Sequence, residues 1–340
     1  MRAALQLSPA FQSCLLERSV CLRVSGEGCS FGACERSLPS EVVGTYDGIS
    51  ATIASSNPVN RLPHPAPDGG LTPVTSTTTD KNLLAIFDHR MRATPQPDEP
   101  GERVEHADGI VRITGARPSD WHGVLYSDLH EDTADAAIQA QIAYFRTLGA
   151  DFEWKHYSHD QPADLGARLL AADFVADDPE TLFVAEITQL AAAGGLSESL
   201  PEGISLRPVT TEADADLVGQ AHDAAFGGGG DRSRDRALAR LAADPDTVWT
   251  WLAMAGDRPV SAARMLIHPG TGFASLWGGG TAPEWRGRGI YRALVARRMQ
   301  VAMGLGCEYL QVDASDMSRP ILERLGFRAL SVTTPYEYRF

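Results

Sequence analysis

Between Leu276 and Arg298 the chain reads LWGGGTAPEWRGRGIYRALVARR, an apolar strand that passes through a glycine- and arginine-rich turn into a helix. The first backbone N–H groups of a helix have no acceptor within it and carry partial positive charge. Gly287 and Gly289 would let an anion such as a phosphate approach those donors closely. Arg286 and Arg288 oppose the helix dipole, so a bound anion explains them better than helix stability does. Gly278, Gly279 and Gly280 thin the preceding strand, where glycine marks a bulge or a close backbone approach. A plain surface turn is the competing reading. Two familiar phosphate motifs are excluded. Ile290, Tyr291 and Arg292 supply no third glycine for a dinucleotide fingerprint, and the Walker lysine with its serine or threonine is absent.

The flanking pattern predicts a domain. Strands are expected at Ile204–Val209, Thr247–Ala255, Pro259–Ile267 and Phe273–Gly280, with a tight Gly256-Asp257 hairpin joining the second and third. Helices are expected at Thr211–Phe226, Arg232–Ala243 and Gly287–Gly304, the last presenting Ile290, Leu294, Val301 and Leu305 on one face. Tyr309, Gln311 and Asp313 then alternate with Leu310, Val312 and Ala314 in a further strand, and a helix over Arg319–Leu325 stops at Gly326.

The turn, this order of elements and the LERLGF run at Leu322–Phe327 resemble the GNAT (GCN5-related) N-acetyltransferase superfamily over about 140 residues, a domain-sized stretch. That family's coenzyme motif has arginine or glutamine, two residues, glycine, one residue, then glycine or alanine. Arg286, Gly287, Arg288, Gly289 and Ile290 match, and Tyr291 replaces the small final residue. The resemblance implies acetyl-CoA as co-substrate, with pyrophosphate held by Arg286–Tyr291. It also implies pantetheine and the acyl carbonyl against the backbone of Gly280, Thr281 and Ala282.

An upstream echo predicts an α/β (α+β) chain of two tandem acyltransferase-like domains, with mixed, mostly antiparallel sheets covered by helices on both faces. Gly123–Leu129, Asp132–Leu148, Phe152–Tyr157, Leu165–Ala172 and Leu182–Ile187 repeat the strand and helix order, with Ile138, Ile142 and Phe145 aligned on the long helix. Where the downstream copy has glycines and arginines, the upstream one has His130, Glu131, Asp132 and Asp135, carboxylates that would cap the helix and repel a pyrophosphate. The expected organisation is a disordered leader over 1–80, a degenerate GNAT-like domain over 81–190, a linker over 191–202 and a coenzyme-binding domain over 203–340. The leader is rich in Ser, Thr, Pro and Gly, includes LTPVTSTTT at Leu71–Thr79, and holds Cys14, Cys21, Cys29 and Cys34 with no zinc spacing. Cys307 reads as a buried bystander, and His156 and His159 as an ordinary surface pair.

A net charge of −14 argues against a broad nucleic-acid surface and fits cationic partners as well as plain solubility. No apolar run approaches the roughly 20 residues that span a bilayer, and no convincing secretory signal is present, so a cytoplasmic location with no membrane partner is expected. The implied chemistry is direct acetyl transfer to a primary amine of a small molecule or peptide. A base must free the amine, donors must stabilise the thioester oxygen, and the leaving thiolate benefits from a proton. Asp313 is the preferred base, against a structural or capping role, and Glu284 the second, against a simple exposed carboxylate. Many family members carry a tyrosine acid where this chain has Leu322, which leaves Tyr291 or a water for that role. Trp249, Trp251 and Trp277 are read as core residues in preference to walls of an acceptor pocket. A noncatalytic acyl-CoA sensor and a purely structural pair of modules are the alternatives.

Overall fold

The computed structural model describes residues 21–25, 28–32, 43–46, 49–52, 78–97, 101–118, 120–243 and 247–340. The chain divides into two units, 1–74 and 75–340. In the first, β1 (Cys21–Ser25) pairs antiparallel with β2 (Gly28–Gly32), and β3 (Val43–Tyr46) with β4 (Ile49–Thr52). The rest of the leader, with Cys14 and Cys34, lies outside the described residues.

The second unit is built on one twelve-stranded sheet. Its upstream half contributes α1 (Asp80–Phe87), a π-helical turn (Asp88–Ala93), β5 (Arg103–Ala107), β6 (Ile110–Thr114), β7 (His122–Ser127), α2 (Ala134–Leu148), β8 (Phe152–Tyr157), α3 (Leu165–Ala171), β9 (Val175–Ala176), β10 (Glu180–Glu186) and α4 (Ile187–Ala193). The downstream half contributes β11 (Ile204–Pro208), α5 (Glu212–Phe226), α6 (Gly230–Ala243), β12 (Val248–Ala255), β13 (Arg258–His268), β14 (Phe273–Thr281), α7 (Ile290–Gly304), β15 (Tyr309–Ala314), α8 (Arg319–Leu325) and β16 (Arg328–Tyr338). The sheet order is β11-β12-β13-β14-β15-β10-β16-β8-β7-β6-β5, with β9 beside β16.

That order has an internal two-fold pattern. The halves exchange strands at the centre: β10 from the upstream half lies between β15 and β16, and β16 from the downstream half lies between β10 and β8. Two strand pairs within the sheet, β14 with β15 and β7 with β8, run parallel; the remaining pairs are antiparallel. The two expected sheets are therefore one continuous sheet.

Alternation along the strands sorts the core into two faces. Ala253, Met265, Leu276, Leu310, Val312 and Phe183 meet Ile290, Leu294 and Met299 of α7 and Leu322 of α8. On the opposite face Leu83 and Phe87 of α1 cover Tyr157, Leu182, Val184, Phe273 and Tyr309, and Ala215, Val218 and Ala221 of α5 cover Leu252, Met254 and Ala262. Thr211 caps α5 in a capping box with Asp214. The expected α7 face needs correction at Leu305, which is half exposed; Ala293, Val295, Ala302 and, unexpectedly, Arg298 are buried instead. The expected carboxylate cap of α2 is also corrected. Thr133 occupies the N-cap position, no side chain caps the helix, and Asp135 pairs with Arg168 at 3.1 Å. Trp251 and Trp249 stack on each other in the α7-side core, as the alternation required, whereas Trp277, also read as a core residue, is exposed.

Candidate active site

β14 and β15 pair in parallel at Phe273/Tyr309, Ala274/Leu310 and Ser275/Gln311, and beyond that point they separate into a fork. A bulge shapes the upper prong. Ala262 faces Gly280 and Arg264 faces Trp277, so Gly278 and Gly279 together oppose Ala263. Gly278 has φ +59°, a left-handed conformation that glycine adopts without strain. Beneath the bulge lies the guanidinium of Arg298, fully buried and hydrogen-bonded to the carbonyls of Leu294 and Arg264 at 3.1 Å each. Burial, with no carboxylate partner among the described residues, pushes its pKa down to about 10.

The glycines of β14 each have a neighbour that depends on them. A Cβ at Gly280 would lie 2.4 Å from the Phe226 ring and 2.9 Å from Ala225, so its absence lets α5 close onto the strand. A Cβ at Gly279 would lie 2.9 Å from the ring of Tyr291. Tyr291 therefore spends its extra bulk against β14, in the space the glycine leaves. The Gly280 carbonyl accepts the Ser261 hydroxyl at 2.6 Å, Thr281 Oγ1 lies 3.0 Å from the same hydroxyl, and Ala282 is buried with its N–H on the Val260 carbonyl.

A short 3₁₀ turn, Pro283–Trp285, then leads to the glycine-arginine loop. Gly287 and Gly289 have φ of +72° and +86°, and Gly289 is the N-cap of α7, whose first turn no side chain caps. Its N–H groups are left open to a ligand. Arg286 proves to be a brace. Its Nε donates to the Thr281 carbonyl and its Nη2 to the Ala225 carbonyl, both at 3.0 Å, which ties the loop to β14 and α5. Arg288 lies over the Trp285 ring at 4.7 Å, and Ile290 is buried beneath the loop. Arg292, with Nη2 3.8 Å from the Cβ position of Gly289, shares this helix end. Sequence reasoning passed over it although a cation in the first turn of a helix, opposing the dipole, is the same signal that singled out Arg288.

The two expected bases both carry partners. Glu284 is exposed and ion-paired with Arg258; backbone donation and that guanidinium hold its carboxyl below the usual range. The Asp313 side chain is buried, pairs with Lys155 Nζ at 2.8 Å and accepts from Gln311 Nε2 at 2.9 Å. Burial disfavours the Lys155 ammonium, yet the Asp313 carboxylate more than offsets this and holds its pKa above the ordinary lysine value. Leu322 is fully buried in the core. Glu180 was missed by sequence reasoning. It is a half-buried carboxyl on β10 whose pKa burial and the nearby Asp313 charge push up to about 7.

The upstream half has a fork of its own between β7 and β8. They pair at Gly123/Glu153 and Val124/Trp154, a bulge falls at Leu125, and a parallel bridge joins Asp128 to Gln161. This fork is filled. Arg92, from the π turn, is 3% exposed; its Nε donates to the Leu125 carbonyl at 3.0 Å and its Nη2 to both oxygens of Asp160 at 2.8 Å. It lies 4.0 Å over the Tyr157 ring and reaches Asp88 at 2.8 Å, and Asp88 in turn contacts His159 at 2.9 Å. His159 is thus part of this buried network, which corrects the reading of a surface pair. Cys307 is a half-buried free thiol packed on the core.

Residues 216–327 match the Acetyltransferase (GNAT) family. This segment is a GNAT acetyltransferase domain. Across more of the chain, a mycothiol acetyltransferase from Pseudarthrobacter chlorophenolicus is 29% identical over 277 residues, covering 76% of this chain and 81% of that protein. Among solved structures, a GCN5-related N-acetyltransferase from Kribbella flavida is similar with TM-score 0.52 and 16% identity, covering 70% of this chain and 89% of its own. A tandem GNAT protein from the clavulanic acid biosynthesis pathway is similar with TM-score 0.50 and 12% identity, covering 76% and 95%. The two structural likenesses establish the fold, and the family match over residues 216–327 together with the acetyltransferase relative supports an acyltransferase.

Proposed function

We propose that the protein transfers an acetyl group from acetyl-CoA to a primary amine of a small molecule or peptide, using the fork in residues 203–340. Residues 81–190 form a GNAT-like copy that has given up coenzyme binding, with 191–202 as the connection. The observation that carries this reading is the β14/β15 fork, opened by a glycine bulge and overlooked by an uncapped helix N-terminus with two arginines beside it.

The residues suit the coenzyme's chemistry. The N–H groups at the start of α7, with Arg288 and Arg292, would hold the diphosphate; Arg286 would hold the loop in place. The backbone of Gly280, Thr281 and Ala282 would run beside the pantetheine arm. Acetyl-CoA supplies an activated acyl carbon, so no protein nucleophile is required. Donors fixed in the bulge would stabilise charge on the thioester oxygen, the kind of preorganised contact that is worth several kcal/mol in a water-poor site. Asp313, committed to Lys155 and Gln311, would set the charge of the acceptor side, and Glu284, committed to Arg258, would shape the loop. Leu322 offers no proton, which leaves Tyr291, against Gly279, or a water to meet the departing thiolate.

The test is acetyl-CoA binding by calorimetry followed by thiol release with a panel of amines. Saturable binding with acceptor-dependent thiol release supports the proposal. Binding with no release across the panel would point to an acyl-CoA sensor, and no binding would remove the assignment.

A further inference from the structure

The strand exchange delivers a carboxylate from one half of the molecule to the fork of the other. β10 pairs with β15 so that Leu182 faces Asp313 and Thr181 faces Ala314; Glu180 therefore sits at the open end of the β14/β15 fork, one strand from its lower prong. Alternation places Glu180 on the same face as Leu182, which packs with Tyr309, and thus on the face of Gln311 and Asp313.

Its surroundings differ from those of the other acidic groups at the fork. Lys155 lies on β8 and Asp313 on β15, so their ion pair crosses over β16 and β10. Directly opposite Glu180 on β16 is Thr333, which is fully buried and whose Oγ1 has no hydrogen-bond partner among the described residues. Among the described residues no hydrogen bond or ion pair engages the Glu180 carboxyl either; only burial and nearby charges act on it. Two unpartnered polar groups thus face each other beside a buried ion pair. A buried polar group left unpaired is costly, and such an arrangement is found where a ligand or water is to be received.

We propose that Glu180 is the catalytic base of the downstream site, taking a proton from the acceptor ammonium, with Thr333 forming the closed wall behind its carboxyl. The inference rests on the acetyl-transfer reading above. In the step, the ammonium N–H bond breaks and its proton passes to the Glu180 carboxylate. The freed nitrogen pair forms the bond to the acetyl carbon and the carbon–sulfur bond breaks with its electrons on sulfur. A second proton leaves nitrogen for the thiolate, and Glu180 returns its own to solvent.

The charged groups around Glu180 are Asp313 on β15, Lys155 and Glu153 on β8, and Asp177 on the approach to β10. Three carboxylates and burial favour its neutral form and one ammonium opposes them, so the carboxyl ionises near neutrality. That is where a base for an ammonium operates best.

The experiment compares the full-length protein with Glu180→Gln and Glu180→Asp, using acetyl-CoA with glycinamide, glucosamine and ethylamine, and with hydroxylamine, which is unprotonated at neutral pH. Glu180→Gln is expected to bind acetyl-CoA as the parent does and to lose roughly 100-fold in kcat with the ammonium acceptors. It should also lose the parent's rise in rate through pH about 7. Its rate with hydroxylamine should stay within a few fold. Glu180→Asp should keep the pH-dependent rise at a lower rate. Unchanged kcat and pH profile in Glu180→Gln would overturn the assignment while leaving acetyl transfer intact. A parent protein that releases no thiol with any of the four nucleophiles would overturn acetyl transfer and this inference together.

Discussion

The two parallel strand pairs make the molecule's own controlled comparison. Each half folds a strand, a helix and a second strand into a fork, and each fork has a bulge in its first prong. Downstream the bulge is Gly278 and Gly279, and the loop above it carries open backbone donors. Upstream the bulge is Leu125, whose carbonyl is taken by Arg92, and Asp160 and Asp88 neutralise that guanidinium inside the opening. The same topology leaves an uncapped helix start above the fork in one case and a filled core in the other. A buried guanidinium lies near each bulge, Arg298 downstream and Arg92 upstream, and what separates the forks is that Arg92 is neutralised by Asp160 and Asp88 within the upstream opening.

Breaking the upstream plug should have the largest effect. Arg92→Met leaves Asp160 buried without its bidentate partner, and loss of one member of such a pair costs about 3–5 kcal/mol. Urea denaturation should show that loss, while acetyl-CoA affinity at the downstream fork changes little. On the downstream side, Gly280→Val forces a side chain toward Phe226 and Ala225. The exposed Phe226 ring can swing away but the helix cannot, so roughly 1–3 kcal/mol of stability should be lost, with coenzyme affinity falling as well. Arg288→Ala and Arg292→Ala should each weaken acetyl-CoA binding about tenfold, or about 1.4 kcal/mol, in calorimetry, with melting temperatures unchanged.

The smallest effect concerns pH. Glu180 has a folded-state pKa near 7, above that of an unfolded carboxyl, so the native state holds the extra proton and loses stability as pH rises through that window. Glu180→Gln lacks that loss. Its melting temperature relative to the parent should climb from about pH 5 to about pH 8; a flat difference would show that the carboxyl is not so perturbed.

Much of the downstream domain was legible because its determinants are local. Gly256-Asp257 marks a two-residue hairpin, Thr211 and Asp214 mark a helix start, and Gly326 marks a helix end at φ +98°. The glycine-arginine turn likewise declared itself. Arg286 was harder to read, since a brace to the Ala225 and Thr281 carbonyls and an anion ligand have the same sequence signature. The upstream plug was not legible: the π turn breaks helical periodicity, and Arg92 in DHRMRA reads as surface charge until Asp160 and Tyr157 are brought to it. The β5–β6 hairpin did leave a signal in Asp108-Gly109 that could have been used. The position of β10, and with it Glu180, depends on pairing between halves, which no local pattern encodes.

The stoichiometry of acetyl-CoA binding tests the contrast between the forks most directly. Titration calorimetry on the full-length protein should give one site per chain, abolished when Arg288 and Arg292 are both replaced by alanine and preserved in Arg92→Met. Two sites per chain would contradict the plugged upstream fork, and binding that survives the double replacement unchanged would contradict the open downstream one.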